Sequence, residues 1–163
     1  NIAEAHLGNF GNLNDIYEEK INLFKSIAKD GTVFINMDDP FISKMPIVCK
    51  GIEYSFNKSS DYQGSWSSDR QTLTINNISI NLSAASETIG LNALAVFSIA
   101  SYLKMDAHLI KKQIESFQLP TGRGIIIEFR DIMVINDSYN ANQQSVLAAI
   151  NVLRKYQGKK ILE

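Results

Sequence analysis

The sequence predicts an α/β protein. Short apolar or alternating segments interleave with stretches of helical period, the pattern of strands and helices layered on one another. Glycine, proline and asparagine mark the joins between them. At 163 residues, 45% apolar and 20% charged, the chain has the composition of one that buries a real core.

Residues 13–29 predict an amphipathic helix capped by Asn12 or Asn14, with Leu13, Ile16, Leu23, Phe24 and Ile27 on one face and Gly31 as its stop. Thr32–Met37 is a buried-strand run that ends in Asp38-Asp39-Pro40. Residues 46–49 and 51–56 predict two more short strands. Residues 57–69, polar and serine-rich, predict a surface excursion. Thr72–Ile75 and Ile78–Leu82 flank Asn76-Asn77, a pair suited to a two-residue hairpin turn. From Glu87 to Lys104, after a Ser86 cap, the chain is apolar nearly all round and predicts a buried helix. Asp106 caps a further helix to Phe117. Leu119-Pro120-Thr121-Gly122 breaks the chain, so the domain boundary is expected at 118–122. Residues 124–129 and 132–136 predict a second hairpin around Arg130-Asp131. Residues 143–157 predict a last amphipathic helix, stopped by Gly158.

Sixteen Lys and Arg face seventeen Asp and Glu, a net charge of −1. That balance gives no basic surface for phosphate backbones and argues against nucleic-acid binding. No apolar run is long enough for a membrane span, and the start lacks the layout of a signal peptide. Cys49 is alone, so no internal disulfide framework is available, which favours a reducing compartment. The chain starts at Asn1 rather than Met, and its last residues read as the beginning of a strand; a piece of a longer protein is expected.

Four places carry polar residues that packing alone does not explain. Lys20 falls four residues after Ile16 and four before Phe24, within the apolar stripe of the first helix. Either its stem packs while the ammonium reaches water, or burial favours the neutral amine, which can take up carbon dioxide as a carbamate. His6 is a hydrogen-bonding residue or a metal ligand. Asn92 sits inside the apolar helix, where a buried amide must find a backbone partner or a ligand. Asp137-Ser138-Tyr139-Asn140-Ala141-Asn142 joins a strand end to a helix start, where α/β folds gather ligands, although these are also ordinary turn and cap residues. Arg123, between Gly122 and Gly124, is a phosphate clamp or a surface arginine.

The order of these features resembles the Mur ligase family of bacterial cell-wall synthesis. It is carried by Ala5-His6-Leu7 with Phe10-Gly11, Lys20, Asn36 with Asp38-Asp39, Asn92-Ala93-Leu94-Ala95, Gly122-Arg123, and the Asp137–Asn142 stretch. The last stretch is most similar to the branch that joins D-alanyl-D-alanine to UDP-N-acetylmuramoyl-tripeptide. The resemblance implies part of a central ATPase domain over residues 1–118, then the start of a Rossmann-like C-terminal domain over 119–163. It implies ATP and magnesium, an acyl-phosphate intermediate, and the UDP-sugar tripeptide and D-alanyl-D-alanine as substrates. It also implies roles. His6 would ligate magnesium and Lys20, as a carbamate, would help hold a second ion. Asn92 would meet adenine, Arg123 the phosphates and Asp137 the ribose. Tyr139, Asn140 and Asn142 would line the nucleotide, with Asn36 nearby. Lys20 and Arg123 would serve catalysis.

The sequence departs from the family pattern at Gly8, Thr88, Ile89, Asn136 and Gln143. Thr88 and Ile89 replace the usual His-Asn ahead of Asn92 and bear on the adenine contacts. The family's glycine-rich phosphate loop has no counterpart in these 163 residues. The chain by itself is therefore expected to be inactive. The competing expectation is a non-catalytic module that keeps part of a nucleotide pocket.

Overall fold

The computed structural model describes residues 12–68, 70–83, 86–139, 141 and 143–162. Helix α1 (Leu13–Lys25) opens with a capping box. The Asn12 carboxamide accepts from the Asn14 and Asp15 amides at 2.8 and 3.2 Å, and the Asp15 carboxylate accepts from the Asn12 amide at 3.2 Å. Three amide groups that the first turn cannot satisfy internally are thus paired by two side chains.

A five-stranded sheet follows in the order β1-β2-β3-β4-β5. Strands β1 (Thr32–Asn36), β2 (Lys50–Ser55) and β3 (Tyr62–Ser67) run parallel; β4 (Thr72–Ile75) and β5 (Ile78–Asn81) continue it antiparallel. The β4–β5 turn is the Asn76-Asn77 pair, with φ of 47° and 68°. Asparagine tolerates this left-handed pair, which matches the twist of the flanking strands.

Helix α2 (Glu87–Tyr102) lies on the sheet and buries Gly90, Ala93, Leu94, Phe97 and Ser98. Its core partners are Leu73, Ile75, Ile80 and Leu82 from the sheet side and Ile110 from α3 (Ala107–Ser116). Each such aliphatic side chain contributes roughly 1.5–3 kcal/mol on burial. Asp106 caps α3, accepting from the amides of His108 and Leu109 at 3.0 and 2.9 Å. After α3 comes the hairpin β6 (Ile125–Phe129) and β7 (Ile132–Asn136), then α4 (Gln143–Lys155).

Four expectations change. Residues 46–49 form no strand, because the chain there is crossing back to bring β2 parallel to β1, and Pro46 has no amide to give a ladder. Residues 57–69 are not merely a surface excursion, for they contain β3, a central strand. Gly64 and Trp66 turn inward while Gln63 and Ser65 turn out. Gly64 is required by close approach, since a Cβ there would lie 3.2 Å from side-chain atoms of Leu73, Leu94 and Phe56. Helix α2 is buried on one side only, leaving Val96 and Ile99 exposed. Helix α1 packs through Ile16 and Ile21 against Met45, with Tyr17, Phe24, Phe41 and Ile42 around them; Leu23, expected on the packed face, is exposed.

Candidate functional site

Two polar clusters stand at strand carboxyl ends. The first follows β1. Asn36 is 3% exposed, and its side-chain oxygen accepts from the Asp38 amide at 3.0 Å. Asp38 reaches across to the end of β2, accepting from Ser55 Oγ at 2.6 Å, the Phe56 amide at 2.7 Å and the Asn57 amide and carboxamide, both at 3.2 Å. Burial raises the Asp38 pKa, but these donors stabilise the carboxylate more, and the net effect holds it below its ordinary 3.8. Asp39 accepts from the Phe41 and Ile42 amides, both at 2.9 Å, and starts the 3-10 turn Ile42–Lys44. Tyr54, beside them, is pushed above its usual pKa by burial and then by the negative charges of Asp39 and Asp38.

The second cluster joins residues 120–124 to the end of β7. The Arg123 amide donates to the Pro120 carbonyl at 3.2 Å, closing a turn. Gly122 sits at φ +81°, a conformation open to glycine, and a Cβ there would lie 3.0 Å from the Tyr139 nitrogen. Its carbonyl accepts from the Tyr139 amide at 3.0 Å. The Arg123 guanidinium lies over the Tyr139 ring, 4.1 Å from its centroid. Ser138 is held by Asn136, whose side-chain oxygen accepts from Ser138 Oγ at 2.7 Å. Asp137, between them, is exposed. Gly124 brings this turn to α2, since a Cβ there would stand 3.8 Å from Ile89 Cδ1.

Asn92 is exposed on α2, not buried, because the helix turns its Ala93 and Leu94 side to the sheet. Lys20 is likewise exposed, because α1 packs through Ile16 and Ile21, flanked by Tyr17 and Phe24. His6, Asn140 and Asn142 lie outside the described residues. Among the described residues no group of three or more His, Cys, Asp or Glu could hold a metal ion. The described residues alone therefore do not fit a metal site.

Sequence reasoning missed the cleft between α2 and α4. It is about 250 Å³ and is lined by Ser86, Glu87, Thr88 and Leu91 on one side and Ala148, Asn151, Val152 and Lys155 on the other. A neighbouring cleft of about 330 Å³ shares Val152 and Lys155 and reaches Ser68 and the β6–β7 hairpin. Lys155 Nζ donates to Ser68 Oγ, 87 residues away. A lysine near the end of an amphipathic helix reads as a solvated residue, and nothing local foretells that partner.

The family model of the Mur ligase middle domain matches residues 1–100. The chain belongs to the Mur ligase family. As a Mur ligase chain it is 31% identical to the UDP-N-acetylmuramoyl-tripeptide--D-alanyl-D-alanine ligase of Rickettsia prowazekii, over 95% of this chain and 37% of that protein. It is 30% identical to the Haemophilus influenzae protein of the same name, over 99% of this chain and 37% of the relative. Its fold matches the crystal structure of MurF from Acinetobacter baumannii with a TM-score of 0.81 at 26% identity, covering 97% of this chain and 37% of that one. A MurF ligase from Thermotoga maritima, in complex with ADP, shares the fold at a TM-score of 0.81 and 20% identity, over 98% of this chain and 39% of the other. The chain thus spans about 37% of the length of the curated relatives it matches. The α/β class expected from the sequence holds. No helix among the described residues is long and apolar enough to cross a membrane.

Proposed function

We propose that this Mur ligase chain is part of an ATP-dependent ligase that joins D-alanyl-D-alanine to UDP-N-acetylmuramoyl-tripeptide. The observation that carries the reading is the match of nearly the whole chain to relatives bearing that name. The second polar cluster supports it. An arginine free of carboxylate partners among the described residues stacks on Tyr139, two residues after the exposed Asp137, where a strand ends and a helix begins.

In this reading the substrate carboxylate accepts the terminal phosphoryl group of ATP and becomes an acyl phosphate. The amine of D-alanyl-D-alanine then attacks the acyl carbon; the amide forms, the amine loses a proton and phosphate leaves. Arg123 would contact phosphate oxygens through its N–H edge, and Asp137 would accept from ribose hydroxyls. Asn92, exposed on α2, would offer its amide to the base. Asn140, Asn142 and Asn36 belong around the nucleotide in the same reading, with Tyr139 beneath Arg123. Magnesium, assigned to His6 and a Lys20 carbamate by family resemblance, would neutralise phosphate charge when bound. In this reading the reaction belongs to the cytoplasm, where ATP and UDP-linked sugars are supplied. We place the domain boundary at 118–122, a reading supported by the separate sheets β1–β5 and β6–β7 on either side.

The test is ligation by the full-length protein that contains this chain. With ATP, magnesium, the UDP-sugar tripeptide and D-alanyl-D-alanine, the expected products are the UDP-sugar pentapeptide, ADP and phosphate. Phosphate release that needs a different amino acid or acceptor, and ignores D-alanyl-D-alanine, would overturn the assignment.

A further inference from the structure

The contact between Arg123 and Tyr139 has features that an accidental surface stack lacks. Tyr139 is 65% exposed, so burial of its own ring does not explain its place. Its backbone is fixed on one side by the amide donated to Gly122, at a glycine where a Cβ would press on the Tyr139 nitrogen. Its neighbour Ser138 is fixed on the other side by Asn136. The residue next to Gly122 is Arg123, itself in a closed turn. Two segments distant in sequence are thereby locked so that one presents a ring and the other a guanidinium, 4.1 Å apart. A stacked guanidinium uses its flat face and keeps its N–H donors, which lie in the plane, for another partner. Among the described residues no carboxylate pairs with it.

We propose that Tyr139 is a positioning residue: its ring holds the Arg123 guanidinium by the face so that the N–H edge is presented to the phosphates of a bound nucleotide. The proposal rests on the reading of Arg123 as a phosphate contact. It gives Tyr139 a role through Arg123 and none through its own hydroxyl. An arginine on a turn otherwise samples many rotamers, and holding it before the ligand arrives lowers the ordering cost of binding.

The test compares Tyr139→Phe, Tyr139→Leu, Tyr139→Gln, Arg123→Ala and the Arg123→Ala/Tyr139→Leu double variant in the full-length protein. Calorimetry gives the Kd for ATP and for adenosine, which lacks phosphates. Tyr139→Phe is expected to bind ATP within about twofold of the parent, because the stack survives. Tyr139→Leu and Tyr139→Gln should each weaken ATP roughly two- to fivefold and leave adenosine unchanged. Arg123→Ala should weaken ATP on the order of tenfold or more. The double variant should be no worse than Arg123→Ala, because the ring acts only through the guanidinium. Melting curves identify variants that fail to fold, and two different truncations keep the comparison readable.

A weakened Arg123→Ala with neutral Tyr139 truncations would overturn the positioning role alone. Additive losses in the double variant, or Tyr139→Phe as poor as Tyr139→Leu, would do the same. An Arg123→Ala variant that binds ATP normally would overturn the phosphate reading and this proposal with it.

Discussion

Asp38 accepts a 2.6 Å hydrogen bond from the hydroxyl of Ser55, a fully buried serine at the end of the neighbouring strand. Ser55 Oγ in turn accepts from the Asn57 and Lys58 amides at 3.0 and 2.8 Å. The carboxyl ends of β1 and β2 are therefore tied by side chains just where their ladder stops.

Replacing Asp38 tests that tie. Asp38→Ala leaves the Ser55 hydroxyl and the Phe56 amide without their acceptor, and a loss of about 1–3 kcal/mol is expected. The pH dependence has a definite sign. The folded-state pKa is depressed, so the stabilisation is complete above the ordinary 3.8 and is lost as the pH falls through the lower folded value. Urea melts of parent and variant should differ most near neutrality and converge in acid.

Strand β5 is the sheet edge, and α3 covers it with side chains. Lys111 Nζ donates to the Ser79 carbonyl at 2.6 Å, and Glu115 accepts from the Asn81 amide at 3.0 Å. The two also pair with each other at 3.6 Å. They occupy backbone groups that would otherwise template another strand. Glu115→Ala should cost up to about 1 kcal/mol and speed hydrogen exchange at the Asn81 amide. Unchanged exchange there would show that the edge is protected by something else.

Gly122→Ala should disrupt the second cluster from its backbone. The φ of +81° strains any L side chain, and the new Cβ would press on the Tyr139 nitrogen at 3.0 Å. A loss of about 1–2 kcal/mol is expected. ATP affinity should fall with it, because the same movement displaces the ring beneath Arg123. Thermal melts and ATP titrations of the full-length variant measure the two effects separately.

Lys20 offers a direct contrast. It is exposed, and trimming an exposed lysine normally changes stability by less than about 0.5 kcal/mol. If it carries a carbamate in the full-length ligase, Lys20→Ala should still cut ligation at least about a hundredfold while melting normally. Ligation close to the parent rate would refute the carbamate role and leave the solvated reading.

Local chemistry was readable in the sequence. Asn12 and Asp106 cap because a short polar side chain reaches the amides two and three residues ahead. Asn76-Asn77 turns because its backbone conformation is set within the pair. The motif that begins Asp137-Ser138-Tyr139 and runs to Asn142 was recognisable from its residues alone. Strand β3 was hidden by its serines, and its signal was the alternation of Tyr62, Gly64 and Trp66 with Gln63, Ser65 and Ser67. Asn92 misled, and the exposure of Lys20 was left open, because periodicity shows which residues share a helix face, not which part of that face finds a partner.

By itself the sequence determined the α/β class, most helix and strand positions, the Asn12 and Asp106 caps, the Asn76-Asn77 turn, and the family. These follow from interactions within a few residues or from motifs read in order. Only the tertiary structure decided that β3 sits inside the sheet, that Lys20 and Asn92 face outward, and that Arg123 rests on Tyr139. Each of those depends on which surfaces meet across long stretches of chain: burial follows the packing of whole elements, and contact between residues 123 and 139 needs the hairpin to bring its two ends together.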